Sequence, residues 1–455
     1  MLYQILKPLT NIFYRVYYTI EIKGLEKNPS GKPVILAPNH INGFVDPVSI
    51  GMTAPQKVRF FARGDVFKGP LAKWVLNKMN ISPMYRLQEG YSELKKNDKT
   101  FEECRTLLSD NKTILLFPEA ICIQEKRLQP LKKGLARIIF QTEELFDFKK
   151  DVLVVPIGLN YSDAKKFRSK LFINFGEPVS IKKYEELYRH DKVKAINEFT
   201  KMLELEMTKL IIVIKNKDND ELVEGITELY LHYWMKDEQH DPQNIEKQFS
   251  VRKDIAEMVN YFDSENLTLL ESLKKTIIPY RKNLQNLDLR DHLLRPEIIN
   301  KMNVGNFLLD FLIIWFGMPI YLLGLAMNFP PYYISKDFAD KKVKNVEFYA
   351  SIYLNMSMLL WLLYYGIQLL VVAIVFHSWA FLGIYALLVP LTGLYVLQFY
   401  PTMKKIFGRW RLMRLVRKER KTIEDLINER TPIISEIEFA KKEYLDSLKT
   451  NSHKI

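Results

Sequence analysis

Cysteine is nearly absent from this chain: Cys104 and Cys122 are the only two in 455 residues. Two thiols cannot build a disulfide framework, and these two do not have the spacing of zinc ligands. We expect both to be ordinary thiols in a reducing compartment. The Gly-x-Ser-x-Gly context of a hydrolase nucleophile is also missing. A phospholipid hydrolase would therefore need an activated nucleophile or metal site that this sequence does not supply.

Charge is missing from one long stretch, since no Asp, Glu, Lys or Arg occurs between Phe348 and Met403. A membrane-spanning helix needs about 20 apolar residues. The stretch therefore predicts two spans, at 350–375 and 380–400, with a break at His377-Ser378. His377 is expected in the turn between them rather than as a metal ligand.

A third apolar segment, 302–329, carries Asp310 and is interrupted by Gly317-Met318-Pro319. Basic segments flank the predicted hairpin on both sides, and the positive-inside rule places such segments in the cytoplasm. If 302–329 crossed the membrane fully, residues 1–300 would lie outside, away from cytosolic substrates. We therefore predict that 302–329 is re-entrant and breaks at Pro319.

The surplus of positive charge, +13 overall, favours an anionic partner: membrane lipid, nucleic acid or a phosphorylated substrate. Much of it lies at the end of the chain, where 404–421 holds nine basic residues and one acidic residue. We interpret 404–455 as a basic cytoplasmic tail that contacts anionic headgroups. Nucleic acid is not predicted as a partner, because no recognition motif accompanies the charge.

The rest of the chain divides into three parts. Residues 1–20 form a predicted amphipathic helix, kinked near Pro8, that can lie on a membrane or on the neighbouring domain. Residues 21–215 alternate apolar runs with helical patterns, which predicts an α/β domain with a partly parallel sheet. Residues 216–300 predict a charged helical subdomain without a chemical motif.

The strand candidates of the α/β domain are short apolar runs, and two longer stretches between them have helical patterns. The predicted strands are Val34–Ala37, Val58–Ala62, Thr113–Phe117, Leu153–Ile157 and Leu171–Phe175. The predicted helices include Tyr91–Ser109 and Pro130–Glu144.

A histidine and an aspartate follow the first predicted strand, in Asn39-His40-Ile41-Asn42-Gly43-Phe44-Val45-Asp46. A neutral imidazole can take a proton from a substrate hydroxyl if a carboxylate orients it and stabilises the imidazolium. An isolated pair of this kind is more often a polar surface turn. The motifs downstream favour the catalytic interpretation of His40 and Asp46.

Those motifs place polar residues where further apolar runs end, which is where α/β sheets build their sites. Arg63 ends one run, Arg86 ends the extended Ile81–Arg86, and Glu119 follows Pro118 with Lys126 and Arg127 shortly after. Arginine binds phosphate oxygens in bidentate fashion. Glu119 has two possible roles, accepting from a substrate hydroxyl or holding Arg86.

In this order the motifs resemble those of the glycerolipid acyltransferases, the glycerol-3-phosphate and lysophosphatidate acyltransferase family. The family's first block is His-x4-Asp, whereas this chain has the longer His40-x5-Asp46. That spacing is similar to a divergent branch that contains fungal-type glycerol-3-phosphate/dihydroxyacetone-phosphate acyltransferases. The other blocks resemble Ile81–Arg86, Phe117–Cys122 and Val155–Leu159.

The resemblance implies a membrane-bound O-acyltransferase of phosphatidic acid and phospholipid synthesis, with its catalytic domain on the cytoplasmic face. The acyl donor would be acyl-CoA or acyl carrier protein, and the acceptor glycerol 3-phosphate or 1-acylglycerol 3-phosphate. Membrane lipids are the further partners, and no metal or bound cofactor is implied. His40 and Asp46 would be catalytic. The substrate-binding residues would be Arg63, Arg86, Glu119, Lys126 and Arg127.

The third block departs from the family in two places. Ala120 replaces a Gly, and Cys122 stands where the family usually has Arg. Ala is unfavourable where a turn needs positive φ, and the missing Arg removes an expected phosphate contact that Lys126 or Arg127 would have to replace. These departures keep an alternative open, a catalytically retired acyltransferase-like membrane scaffold.

Overall fold

The computed structural model describes residues 2–85, 97–299 and 304–452. The chain divides into two compact units. The first unit consists of Met1–Val213 and Lys342–Leu354. The second unit consists of Ile214–Lys341 and Asn355–Ile455.

Eight strands in the described part of the first unit form one mixed sheet. They are β1 (Tyr18–Lys23), β2 (Val34–Pro38), β3 (Val58–Arg63), β4 (Ile81–Met84), β5 (Thr113–Leu115), β6 (Leu153–Tyr161), β7 (Ser169–Phe175) and β8 (Val179–Ser180). Their order is β1-β7-β6-β2-β5-β3-β4, with β8 beside β6. All pairings are parallel except those of β6 with β7 and with β8. The predicted α/β class with a partly parallel sheet is confirmed.

Seven α-helices accompany this sheet in the described residues of the first unit. They are α1 (Leu2–Tyr17), α2 (Val45–Thr53), α3 (Pro70–Lys78), α4 (Asn97–Ser109), α5 (Gly134–Leu145), α6 (Glu185–His190) and α7 (Lys192–Leu210). Strands β2 and β6 are buried at every position, as expected for apolar strands covered on both faces. A core of buried side chains joins β2, β5 and β6 to α4, α5 and α7. This core fixes the edge of the sheet where β2 and β5 end.

The strand predictions were correct for the strongly apolar runs, and every predicted run overlaps a strand. The predicted strand Thr113–Phe117 ends early, at Leu115, because the chain turns there toward Pro118, which has no N–H for a ladder. Strand β1 was missed, and it corrects the predicted 1–20 helix, which ends at Tyr17. Tyr18-Thr19-Ile20 is a β-branched and aromatic run that favours a strand.

Helix α1 contacts the α/β domain along part of its surface. Its Tyr14 and Tyr17 are buried. The Lys7 ammonium donates to the carbonyl of Ala54, at the end of α2, over 2.7 Å. The last turns of α1 therefore pack against protein, whereas Ile12 is 61% exposed, and the two predicted positions of this helix both stay predictions.

The described part of the second unit is all helical. Its helices are α8 (Asp220–Asp237), α9 (Ile245–Glu265), α10 (Leu267–Asn286), α11 (Pro296–Ile299), most of α12 (Val304–Lys342) and α13 (Val346–Phe376), α14 (Trp379–Lys418) and α15 (Arg420–Ser452). Helices α12, α13 and α14 are long and apolar enough to cross a membrane. The break between α13 and α14 falls at His377-Ser378, as predicted.

The predicted break at Pro319 is wrong, because α12 continues through that residue. Proline removes one backbone hydrogen bond, and apolar helices tolerate the loss where neighbouring helices compensate. Close packing occurs here: a Cβ on Gly317 would lie 2.2 Å from the Phe399 ring. A tightly packed neighbour thus keeps the chain helical across Pro319.

Much of the segment interpreted as a basic tail is helical and packed within the second unit. Residues up to Lys418 continue α14, and α15 follows directly. Arg409 forms an ion pair with Asp310, and Arg411 with Asp288. Part of the basic charge is therefore neutralised by acidic partners inside this unit.

Candidate active site

His40 and Asp46 meet at the carboxyl end of β2. His40 follows the strand, and Asp46 is the second residue of α2. The Nδ1 atom of His40 lies 2.9 Å from Oδ2 of Asp46. The five residues between them form a turn whose N–H groups point at the carboxylate, and Ile41 and Asn42 each donate to Oδ2 over 2.7 Å. The longer His-x5-Asp spacing thus still forms a dyad.

The Asp46 carboxylate is fully buried and has a fourth donor. The hydroxyl of Tyr161, at the end of β6, donates to Oδ1 over 2.6 Å. Burial and the Asp46 charge raise the pKa of Tyr161 well above its usual value, so this phenol stays protonated and donating. With four donors on a buried carboxylate, Asp46 has a fixed orientation toward the imidazole.

Two asparagines hold the turn in place. The Asn39 side chain accepts from the Leu159 N–H over 2.7 Å and donates to the Leu159 carbonyl over 3.2 Å. The Asn42 amide donates to the Tyr18 hydroxyl and to the Ala164 carbonyl. Since both asparagines are buried, these bonds are shielded from water and fix the turn between His40 and Asp46 to the neighbouring strands.

The His40 ring is packed on one face and accessible at its far nitrogen. It stacks on Phe117 with ring centroids 3.8 Å apart and planes inclined by 17°. Its side chain is 17% exposed, and Nε2 has no hydrogen-bond partner among the described residues. A histidine held through Nδ1 with an open Nε2 has the geometry of a general base.

Glu119 lies behind this histidine and points away from solvent, with 2% of its surface exposed. Its Oε1 accepts from the His40 N–H over 2.7 Å, and its Oε2 accepts from the Gln129 N–H over 2.8 Å. Burial raises the pKa of Glu119 to about 7, and the two N–H donors oppose that rise. Among the described residues the carboxylate joins two loops and positions the His40 backbone.

The two departures in the third block have structural consequences. Ala120 adopts the left-handed conformation that the family Gly permits, with φ of 53°. The Cys122 sulfur accepts from the Gly43 N–H over 3.2 Å. Burial, with the nearby Asp46 charge, raises the pKa of the Cys122 thiol, so it remains neutral. Cys122 therefore supports the catalytic turn and supplies no charge for phosphate.

The predicted basic residues occupy different positions around this edge. Arg63 ends β3, in the same parallel set as β2 and β5, and forms an exposed ion pair with Asp65. Arg127 pairs with Glu125 over 3.1 Å, and Lys126 beside it is half-buried. Their segment is tied to the catalytic turn, because Ile123 N–H donates to the His40 carbonyl over 3.2 Å. Arg86 lies outside the described residues.

Sequence reasoning missed the residues that support the dyad from a distance. Tyr161 is 115 positions from Asp46 and lies just beyond the fourth block. No spacing rule connects two residues so far apart. The signal that was available is the continuation of an apolar strand pattern from Leu153 to Tyr161, which would have placed Tyr161 at the same sheet edge.

Residues 19–160 match the family model described as Acyltransferase. Glycerol-3-phosphate O-acyltransferase 2 of Saccharomyces cerevisiae is 22% identical over 261 residues, which are 56% of this chain and 34% of that protein. Glycerol-3-phosphate O-acyltransferase 1 of the same organism is 23% identical over 249 residues, 52% of this chain and 31% of that protein. The match therefore spans about a third of the length of these relatives.

Among solved structures, the chain is similar to the 1-acyl-sn-glycerophosphate acyltransferase PlsC of Thermotoga maritima, with 18% identity. That likeness covers 46% of this chain and 77% of PlsC, with a TM-score of 0.33.

Proposed function

We propose that the chain is a membrane-bound glycerol-phosphate O-acyltransferase, from the match of residues 19–160 to the Acyltransferase family model and the similarity to the yeast glycerol-3-phosphate O-acyltransferases. It would move a fatty acyl group from acyl-CoA or acyl carrier protein to glycerol 3-phosphate or 1-acylglycerol 3-phosphate. The product would enter phosphatidic acid and phospholipid synthesis. The observation that carries the proposal is the His40–Asp46 dyad with its open Nε2.

The proposed reaction is a direct transfer. Nε2 of His40 takes the proton of the acceptor hydroxyl while that oxygen attacks the thioester carbonyl carbon. The tetrahedral intermediate collapses as the C–S bond breaks, and the imidazolium returns the proton to the leaving thiolate. Asp46 stabilises the imidazolium through Nδ1. The acceptor supplies the nucleophile, so no acyl-enzyme and no metal is required.

The basic residues would hold the acceptor's phosphate. Arg127 and Lys126 are the first candidates, because their segment is hydrogen-bonded to the catalytic turn. Arg63 lies on the same sheet edge and would have to release Asp65 to reach a phosphate. Arg86 stays a sequence-based prediction. Glu119 would act indirectly, by fixing the backbone of His40.

The membrane setting is supported by the three long apolar helices. A donor acyl chain and a lipid product both partition into a bilayer, so an attached membrane region keeps the enzyme next to both. We propose that the catalytic domain faces the cytoplasm, where thioester donors and glycerol phosphates are found. Between the two acceptors we favour glycerol 3-phosphate, which the names of the two yeast relatives specify.

The test is thioester consumption by the purified, detergent-solubilised chain, with each acceptor supplied alone. We expect turnover with glycerol 3-phosphate. Turnover with 1-acylglycerol 3-phosphate alone would change the proposed acceptor, while the proposed acyl transfer would stand. Folded protein that consumes neither acyl-CoA nor acyl carrier protein thioesters with either acceptor would favour the scaffold, which Cys122 in place of Arg already suggests.

A further inference from the structure

The first turns of α13 belong to the same compact unit as the catalytic turn. The Ser351 hydroxyl accepts from the Phe44 N–H over 2.9 Å and from the Val45 N–H over 3.3 Å. These donors lie at the start of α2, whose N-cap residue Phe44 makes no side-chain capping bond. A helix start leaves N–H groups without partners, and an accepting oxygen stabilises it. Ser351 is such a cap, supplied from 307 positions away.

Packing around this cap is close. A Cβ on Gly43 would lie 2.8 Å from the Phe348 ring and 2.9 Å from the Ser351 hydroxyl. Phe44 and Phe348 are in ring contact, with centroids 6.0 Å apart. Ser351 itself is 1% exposed. Only glycine at position 43 permits this approach of α13 to the catalytic turn.

We infer that Ser351 is a positioning residue for the His40–Asp46 dyad, an inference that rests on the proposed function. Asp46 directly follows the capped Val45 N–H, so the cap fixes the helix start that aims the carboxylate at His40. Because α13 is one helix from Val346 to Phe376, the same element carries the cap and an apolar stretch long enough for a membrane. The residue that caps the turn and this apolar stretch are therefore parts of one helix.

The test compares Ser351→Ala, Ser351→Cys and Ser357→Ala in the full chain. Ser357 is the matched control, since it lies on α13 and its hydroxyl has no hydrogen-bond partner among the described residues. Loss of a cap worth about 1 kcal/mol corresponds to about a fivefold effect. We expect kcat to fall about fivefold in Ser351→Ala with both KM values within twofold of wild type. Cysteine should recover part of the loss, because the Cys122 sulfur already accepts an N–H in this turn.

Two results would overturn this inference. One is wild-type kcat in Ser351→Ala, and the other is an equal loss in Ser357→Ala, which would mean a general effect on α13. Turnover by the unmodified chain is measured first. If it is absent, the proposed function fails along with the inference. If the unmodified chain turns over and Ser351→Ala has the same kcat, the inference fails and the proposed function stands.

A second, independent observation concerns the two ends of the apolar region. Helix α15 follows the apolar region in the sequence, and it forms ion pairs with residues that precede the apolar region. Arg430 forms a buried ion pair with Asp291 at 2.7 Å, and Lys441 pairs with Asp237 at 2.8 Å. All four residues belong to the second unit. Segments that fold together must lie on one side of a membrane, so the chain between them crosses an even number of times.

The contacts among the three apolar helices identify which one does not cross. Asp310, near the start of α12, pairs with Arg409, and Asn328, further along α12, donates to the carbonyl of Val389. The partner numbers on α14 fall as the numbers on α12 rise, so this part of α12 runs antiparallel to α14. Helix α13 also runs antiparallel to α14, because the two form a hairpin and Tyr365 bonds to the carbonyl of Ala386. The first part of α12 and α13 therefore point the same way.

Two parallel helices need a return path between them. After Asn328, only the remainder of α12 and three residues precede α13, so the chain must turn back within that stretch. Pro330 and Pro331 lie there. Pro331 has no N–H for the carbonyl of Met327, and the Gln368 amide of α13 donates to that carbonyl over 3.0 Å instead. A reversal is thus required between Asn328 and α13, where the residues on both sides of Pro330-Pro331 are helical and the Gln368 amide replaces the missing N–H.

We propose that α12 enters and leaves on the same membrane face, reversing at Pro330-Pro331, and that only α13 and α14 cross. The test uses single cysteines of the second unit in sealed vesicles: Lys282→Cys, Lys341→Cys and Lys442→Cys at exposed positions, and Ser378→Cys at a half-buried one. An impermeant thiol reagent should reach positions 282, 341 and 442 from one side and position 378 from the other. Wild type gives the background from Cys104 and Cys122. Labelling of 341 opposite to 282 would mean that α12 crosses and would overturn the proposal.

Discussion

The α/β domain and the apolar helices both bury polar side chains, but they use them differently. Around Asp46 the buried donors converge on one carboxylate and leave the far nitrogen of His40 open. In the apolar helices several amides and hydroxyls donate instead to backbone carbonyls, as the Gln368 amide does to Met327 and the Tyr365 hydroxyl to Ala386. The first arrangement leaves an accessible nitrogen that can exchange a proton, whereas the second replaces backbone hydrogen bonds that prolines remove.

Asp46 lies in the α/β domain, where the buried donors surround the dyad, and its substitution should change kcat most. Asp46→Asn should lower kcat on the order of 10³-fold, because the amide cannot stabilise an imidazolium or fix its tautomer as a carboxylate does. Steady-state kinetics with the preferred acceptor measure the change in kcat. Asp151→Asn, at a surface carboxylate paired with Lys32, is the control and should keep wild-type activity. Equal activity in both variants would contradict the role of Asp46.

Tyr161→Phe should have the next largest effect. It removes one donor to a buried carboxylate, a hydrogen bond worth about 1.5–3 kcal/mol, and leaves the ring packing unchanged. We expect a lower free energy of unfolding and a fall in kcat of about tenfold, since 1.4 kcal/mol is a factor of ten. Denaturant unfolding measures the free energy of unfolding, and steady-state kinetics measure kcat. Lost stability with wild-type kcat would show that Tyr161 supports the fold alone.

Tyr365→Phe tests the other region. The Tyr365 hydroxyl donates to the carbonyl of Ala386, which Pro390 leaves without its usual N–H partner. The variant should lose about 0.6–2 kcal/mol of stability while the folded enzyme keeps wild-type kcat. Tyr364→Phe on the same helix is the matched control and should match wild type in thermal unfolding in detergent. A fall in kcat without a fall in stability would mean that this cluster takes part in chemistry.

The smallest expected effect concerns the third block. Ala120→Gly should raise the free energy of unfolding by about 0.5–1 kcal/mol, because glycine adopts a left-handed φ without a Cβ penalty. Residue 120 already has that conformation, so activity should not change. A decrease in stability would show that the entropy of glycine in the unfolded chain outweighs the strain.

The sequence was sufficient for those parts of the fold that local pattern determines. Strongly apolar runs became strands, and the uncharged stretch became a helical hairpin broken at His377-Ser378. Strand β1 was missed because its pattern continues that of α1, and the break at Pro319 was wrong because packing of Gly317 against Phe399 keeps the helix intact. A single proline indicates a break only where no neighbour compensates for it.

The site was predictable where residues are close in sequence and not where they meet through the fold. His40 and Asp46 were found by spacing, whereas Tyr161 and Ser351 reach the turn from 115 and 307 positions away. No sequence signal indicated that the Glu119 oxygens accept from the His40 and Gln129 N–H groups, while its predicted contact with substrate or Arg86 stays a prediction. A residue type shows that a carboxylate is present, and only the structure shows what occupies each of its oxygens.

If His40 is the base of an acyl transfer, the amount of acylated product must depend on its imidazole. Wild type and His40→Ala, matched in thermal unfolding, are given an acyl thioester and glycerol 3-phosphate, and the acylated glycerol phosphate is quantified by mass spectrometry. A positioned base contributes roughly 10²–10⁴-fold, so product formation by His40→Ala should fall by that factor. Acylated product formed at the wild-type rate by His40→Ala would contradict the account.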